Sequence, residues 1–214
     1  MFIRTLLTTT GLLCIASLSQ AATVAEVFNG EMLGTNQRYF ESIAGIPRES
    51  YDNVHEFRVQ GCEIQATVSD ERIAQLRLEI TPTCKADLTS FIGNYAPAPD
   101  QTLTLGAFDI GTTYYADCLD MCGNAFDPSL YALWRGPRAV RDLEVLLEAR
   151  ITSDKAMDAA DIWQQHMEKV MGREWVLETR FNCDNRFNDV AEKVLRDVPV
   201  TGVTLGYGLS APGC

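Results

Sequence analysis

Two cysteines and a methionine fall within five positions at Cys118-Leu119-Asp120-Met121-Cys122. Thiolate and thioether are soft ligands, so Cys118, Met121 and Cys122 could hold copper(I). The same two thiols could exchange a disulfide, although a redox dithiol is more typically Cys-x-x-Cys, which this chain lacks. Pairing is the competing chemistry. The chain has seven cysteines, and Cys14 falls in an apolar leader. The other six are Cys62, Cys84, Cys118, Cys122, Cys183 and Cys214. In an oxidising compartment they are expected as disulfides, each contributing about 2–4 kcal/mol. Spacing alone leaves the connectivity open. Cys62 and Cys84 flank two strand-like segments and are the expected pair. Cys183 is expected to join Cys118 or Cys122. Cys214 either staples the tail or stays reactive.

Other catalytic constellations are sparse. The only histidines are His55 and His166, and no Gly-x-Ser-x-Gly, Ser-x-x-Lys, His-Glu-x-x-His or P-loop pattern occurs. Acids are plentiful. Asp117, Asp120 and Asp127 surround the Cys118–Cys122 segment, and Asp184 and Asp189 follow Cys183. If a disulfide joined the two segments, these acids could converge on calcium or supply a carboxylate pair for hydrolysis. The stretch 117–138 also gathers Tyr131, Trp134, Arg135 and Arg138, residue types enriched at binding hot spots. These four are the candidate binding residues. The plainer reading is that the aromatics fill core beneath a long loop.

Positioning these groups falls to an exported domain. Met1–Ala21 has the layout of a signal peptide, with Arg4 before an apolar run and Ser19-Gln20-Ala21 as a cleavage site. That run is too short for a membrane span, and Leu13 before Cys14 argues against a lipid anchor. Residues 22–214 then form one domain, with possible subdomains 22–95 and 100–214 split at a proline-bearing loop. Formal net charge is −11 and hydrophobic content 46%. The first disfavours nucleic acid and anionic membranes; the second supports a packed core.

Three alternating segments, 54–59, 62–68 and 73–80, predict an antiparallel meander with one buried face. Helices are expected over 31–46, 86–92, 154–171 and 187–195. Short strands are expected over 103–108, 112–116, 143–151, 175–181 and 200–205, and a helical turn over 129–134. Ser153-Asp154 reads as the N-cap of the long helix. The fold class is α+β, an antiparallel sheet with helices packed on one face and disulfide-stapled loops.

Residues 31–80, through Tyr39 to Pro47 and Val54 to Ile80, resemble one repeat unit of the β-lactamase-inhibitor-like and outer-membrane-assembly small lipoprotein domains. The resemblance implies a periplasmic protein binder and transfers no binding residue. The reading is a periplasmic or secreted, non-catalytic binding protein, such as an inhibitor, adaptor or envelope factor. Its partner is another protein of the cell envelope or exterior, and no cofactor is expected. The alternatives are a carboxylate-dependent hydrolase, then copper or thiol handling at Cys118 and Cys122.

Overall fold

A computed structural model describes residues 21–123, 127–137 and 142–213. The expected leader Met1–Ala21 thus lies almost wholly outside the described residues, as do Arg138 and Cys214.

The elements run α1 (Val24–Val27), α2 (Gln37–Ala44), β1 (Glu49–Tyr51), β2 (Val54–Val59), β3 (Cys62–Ser69), β4 (Arg72–Glu79), α3 (Thr89–Ile92), β5 (Thr112–Ala116), β6 (Ser129–Arg135), β7 (Glu144–Arg150), α4 (Asp154–Met171), α5 (Arg173–Leu177), α6 (Asn188–Leu195) and β8 (Gly202–Gly206). The strands form one eight-stranded antiparallel sheet in the order β1-β2-β3-β4-β8-β7-β6-β5. Two meanders, β1–β4 and β5–β7, are thus joined by the last strand, which pairs with β4 on one side and β7 on the other.

One face of this sheet carries the core. Ile64, Leu76, Leu78, Leu130, Leu147 and Leu205 alternate inward and are fully buried. Helices cover them. Ser153 caps α4 by accepting the Ala156 N–H at 3.2 Å. Ala156, Ala159, Ala160, Trp163 and Met167 then form the helix's buried stripe at helical spacing. Phe40 of α2 meets Phe57 of β2 edge-on at 5.1 Å between ring centroids.

Cys62 and Cys84 are bonded, as expected. Cys118 and Cys122 are bonded to each other. Cys183 is also disulfide-bonded, so the expected bridge from Cys183 to Cys118 or Cys122 is corrected. Four local expectations are corrected as well. Residues 129–135 are a strand, not a helical turn. The expected strand over 175–181 is helix α5 followed by a 3-10 turn, Arg180–Cys183. Its aromatics converge rather than alternate: Trp175 and Phe181 pack on Phe187 and Trp163 respectively. Residues 103–108 contribute a single bridge, Thr104 to Pro199, instead of a strand. The expected helix over 31–46 divides into a 3-10 turn, Gly30–Met32, and α2, because Gly34 turns the chain at φ +79° and Asn36 caps a fresh start.

Candidate functional site: the uncovered sheet face

Residues that alternate with the core positions point to the opposite face, where the described chain lays no helix. Charged and hydroxylic side chains occupy it, and they are organised. Arg77 of β4 reaches over the intervening strand β8 to Glu148 of β7, Nη2 to Oε2 2.6 Å. The crossing passes Gly202 of β8, which is in register with Glu148 on β7 and with Glu79, two residues beyond Arg77, on β4. A Cβ on Gly202 would lie 2.6 Å from the Arg77 Nη2. Both side chains are about four-fifths buried, at 20% and 17% exposure, so this ion pair is shielded from water more than an ordinary surface pair.

Glu148 also accepts the Ser129 hydroxyl at 3.1 Å. The Ser129 N–H donates to Asp117 at 3.0 Å, and Asp117 accepts the Tyr131 hydroxyl at 3.1 Å. Burial, then the nearby Asp117 and Glu148 charges, push the Tyr131 phenol well above its ordinary pKa. It therefore stays a protonated donor. Arg150 meets Glu79 at 3.3 Å on the same face. Toward β1, a cleft of about 200 Å³ is lined by Arg48, Glu49, Glu56, Glu63, Arg77 and Glu79. The network offers fixed, paired donors and acceptors across β4, β8, β7 and β6, the arrangement suited to recognition.

The other half of this face is partly occupied by the chain's own tail. Leu209 donates its backbone N–H to Glu144 at 2.5 Å, and Glu144 also holds Arg135 at 2.9 Å. Leu133 and Leu209 are both buried yet stand outside the continuous core. Their burial belongs to this second face. Farther along, the Gly213 carbonyl accepts from Asn182 at 3.3 Å beside the β5 edge. Residues 207–213 thus run from the end of β8 across β7 and β6 toward β5.

That β5 edge is closed by asparagines. Asn188 accepts the Tyr114 N–H and donates to the Thr112 carbonyl, each at 2.9 Å. Asn182 does the same for both backbone groups of Ala116, at 3.1 and 2.9 Å. Their amides imitate a neighbouring strand and leave these edge groups satisfied.

Comparison with known proteins finds no match: no family model, no curated protein and no solved structure is similar to this chain. The geometry stands on its own.

Among the sequence candidates, Tyr131 and Arg135 share the uncovered face. Trp134, between them, points the other way. It is buried, stacks on Phe108 at 4.5 Å and donates to the Ile110 carbonyl at 2.9 Å. Arg138 lies outside the described residues. The sulfurs of Cys118 and Cys122 are joined, so in this state they offer no thiolate pair to copper, and Met121 beside them is exposed. The acids take separate partners. Asp120 pairs with Arg173 at 2.5 Å, which holds its carboxyl below the usual range, and Asp184 pairs with Arg186. Among the described residues, no cluster of three or more His, Cys, Asp or Glu could hold a metal ion. His55 contacts Ser50 at 2.9 Å, and His166 sits edge-on to Phe187. Sequence reasoning missed Arg77, Ser129 and Glu148. Only the strand order brings them together.

Proposed function

We propose that this chain is an exported, non-catalytic binding protein whose uncovered sheet face meets another protein of the cell envelope or exterior. One observation carries the reading. An eight-stranded sheet buries one face under helices and carries an ordered polar network on part of the other. An ordered polar surface with aromatic and arginine side chains is suited to hot-spot recognition. Four glutamates in the cleft and the net charge of −11 favour a basic partner surface. Disulfides support an oxidising location, periplasmic or extracellular. No helix among the described residues is long and apolar enough to cross a membrane.

The test is site-specific photo-crosslinking in the native envelope. A crosslinker at Tyr131, Arg135 or Glu63 should capture one partner; one at the helix-face positions Ile162 or Lys169 should not. Equal capture from both faces sinks the placement. Cell fractionation tests the export reading: retention of the unprocessed chain in the cytoplasm overturns it.

A carboxylate-dependent hydrolase is the second reading, favoured by Ser129 held between Glu148 and Asp117. The absence of turnover on glycan, ester and peptide substrates removes it.

A further inference from the structure

A second surface lies where the tail begins, and its chemistry differs. A groove of about 630 Å³ opens between the Gly30–Met32 turn, α3 with the 3-10 turn Gly93–Tyr95 that follows it, and the start of the tail. Three aromatic side chains line it: Phe91, Tyr95 and Tyr207. Tyr95 and Tyr207 are 47% and 50% exposed. Exposed aromatics gathered in one groove form the kind of patch that marks an interaction site.

The support is rigid for stated reasons. Gly30 packs so closely that a Cβ would lie 2.3 Å from the Ser90 carbonyl oxygen, and its N–H donates to Ser90 Oγ at 3.1 Å. Phe91 is fixed against Phe28, ring centroids 5.0 Å apart. Gly93 takes φ +57°, a turn that brings Asn94 and Tyr95 to the groove. Tyr95 leans on Trp134 at 6.2 Å, and Trp134 is stacked on Phe108. Phe91 and Tyr95 are therefore preorganised, which lowers the entropic cost of binding.

The polar groups select among ligands. Among the described residues, Glu31 is the only charged one lining the groove. An anionic ligand is disfavoured, and a basic flank is favoured, the more so on a chain of net charge −11. The remaining polar side chains, Tyr95, Tyr207, Asn94 and Ser90, all carry hydrogen-bond donors. A polyproline II segment matches this set. Its proline rings present flat apolar faces, its carbonyls point outward without internal partners, and proline supplies no N–H of its own. Aromatic-lined grooves recognise such segments.

We infer that this groove binds a proline-rich segment in the polyproline II conformation with an adjacent arginine or lysine, carried by another exported protein. Aromatic walls seat the prolines, the Tyr95 and Tyr207 hydroxyls and the Asn94 amide donate to backbone carbonyls, and Glu31 meets the cation.

Fluorescence polarisation tests this with a labelled dodecapeptide of Pro-Pro-Leu repeats ending in arginine. A glycine–serine peptide of equal charge and a set of neutral hexasaccharides serve as controls. The proline-rich peptide should bind saturably and the controls should not. Tyr95→Ala and Tyr207→Ala should each weaken binding about thirtyfold, the scale of losing an interface hot spot. Tyr207→Phe should retain the stacking and much of the affinity. Glu31→Lys should weaken the arginine-bearing peptide and spare one lacking the arginine. Thermal melts of each variant verify folding, and Ile162→Ala on the exposed side of α4 should leave peptide binding unchanged. Absence of saturable binding, equal binding of the glycine–serine peptide, or unchanged affinity in both alanine variants overturns the inference. Preferential binding of a hexasaccharide overturns it in favour of a glycan.

Discussion

The two faces of the sheet are built from the same strands and solve opposite problems. On the core face, Leu76, Leu130, Leu147, Val203 and Leu205 exclude water completely and interlock with helix side chains. On the other, the same strands present Arg77, Glu148, Tyr131 and Arg135, each held by a named polar partner. The first arrangement supplies stability through apolar area. The second contributes little net energy, because every ion pair gained is offset by desolvation of its members. What it contributes is position. The comparison separates a face that carries stability from one that fixes side-chain positions, and it predicts how substitutions should rank.

Core truncation should cost most. Trp163 is 2% exposed and packs edge-on to Phe181 at 5.4 Å. Trp163→Ala is expected to lose about 3–5 kcal/mol in urea unfolding. A loss no larger than that of a sheet-face substitution would erase the contrast between the faces.

The disulfides should come next and should differ. Cys62–Cys84 closes a sequence separation of 22, and Cys118–Cys122 one of 4. Constraint of the unfolded chain grows with loop length, so paired alanine replacement should cost about 3 kcal/mol for the first and about 2 kcal/mol for the second. Denaturant midpoints of the two double variants decide it. The reverse order would mean that the short loop does more than restrain the chain.

The legibility of the sequence follows the same division. Strands β2, β3 and β4 were readable because one side of each meets the core and the other meets water, which writes a period of two. Strand β6 was not. Its run Ser129-Leu130-Tyr131-Ala132-Leu133-Trp134 loses the alternation because Leu133, on the uncovered face, is itself buried. The tail that accompanies that burial is distant in sequence, so no local pattern announces it. Trp175 to Phe181 failed in the opposite sense, since alternation there arises from aromatics gathered onto Phe187 and Trp163. Tyr131 and Arg135 were candidates by residue type alone. Arg77, Glu148 and Gly202 were not, because their juxtaposition depends on the last strand entering the middle of the sheet.

That strapped half of the uncovered face gives an intermediate prediction. Leu209→Ala should lose about 2 kcal/mol, toward the low end for buried leucine, since Leu209 is 7% exposed and contacts no continuous core. Asn182→Ala should cost about 1–2 kcal/mol by leaving the Ala116 N–H and carbonyl without partners. Hydrogen exchange separates the two. The first should speed exchange at the tail, the second at the β5 edge, and global acceleration in both would mean that neither region is a local unit.

The ion pair across β8 gives the prediction most diagnostic of the face itself. Arg77→Met should cost about 1–3 kcal/mol, because it leaves the mostly buried Glu148 carboxylate with the Ser129 hydroxyl but without its cation. Gly202→Ala should cost a similar amount by a different route. Its Cβ would stand 2.6 Å from the Arg77 Nη2 and 3.1 Å from Glu148 Oε2. The flexible guanidinium can move aside, and the ion pair is then lost. If both substitutions act through that one contact, their effects cannot add. A double-mutant cycle should show the Arg77→Met, Gly202→Ala chain about as stable as either single variant. Full additivity would mean that the glycine serves the backbone of β8 rather than the passage of Arg77 across it. The polar face would then be a by-product of strand packing instead of a surface the sequence specifies.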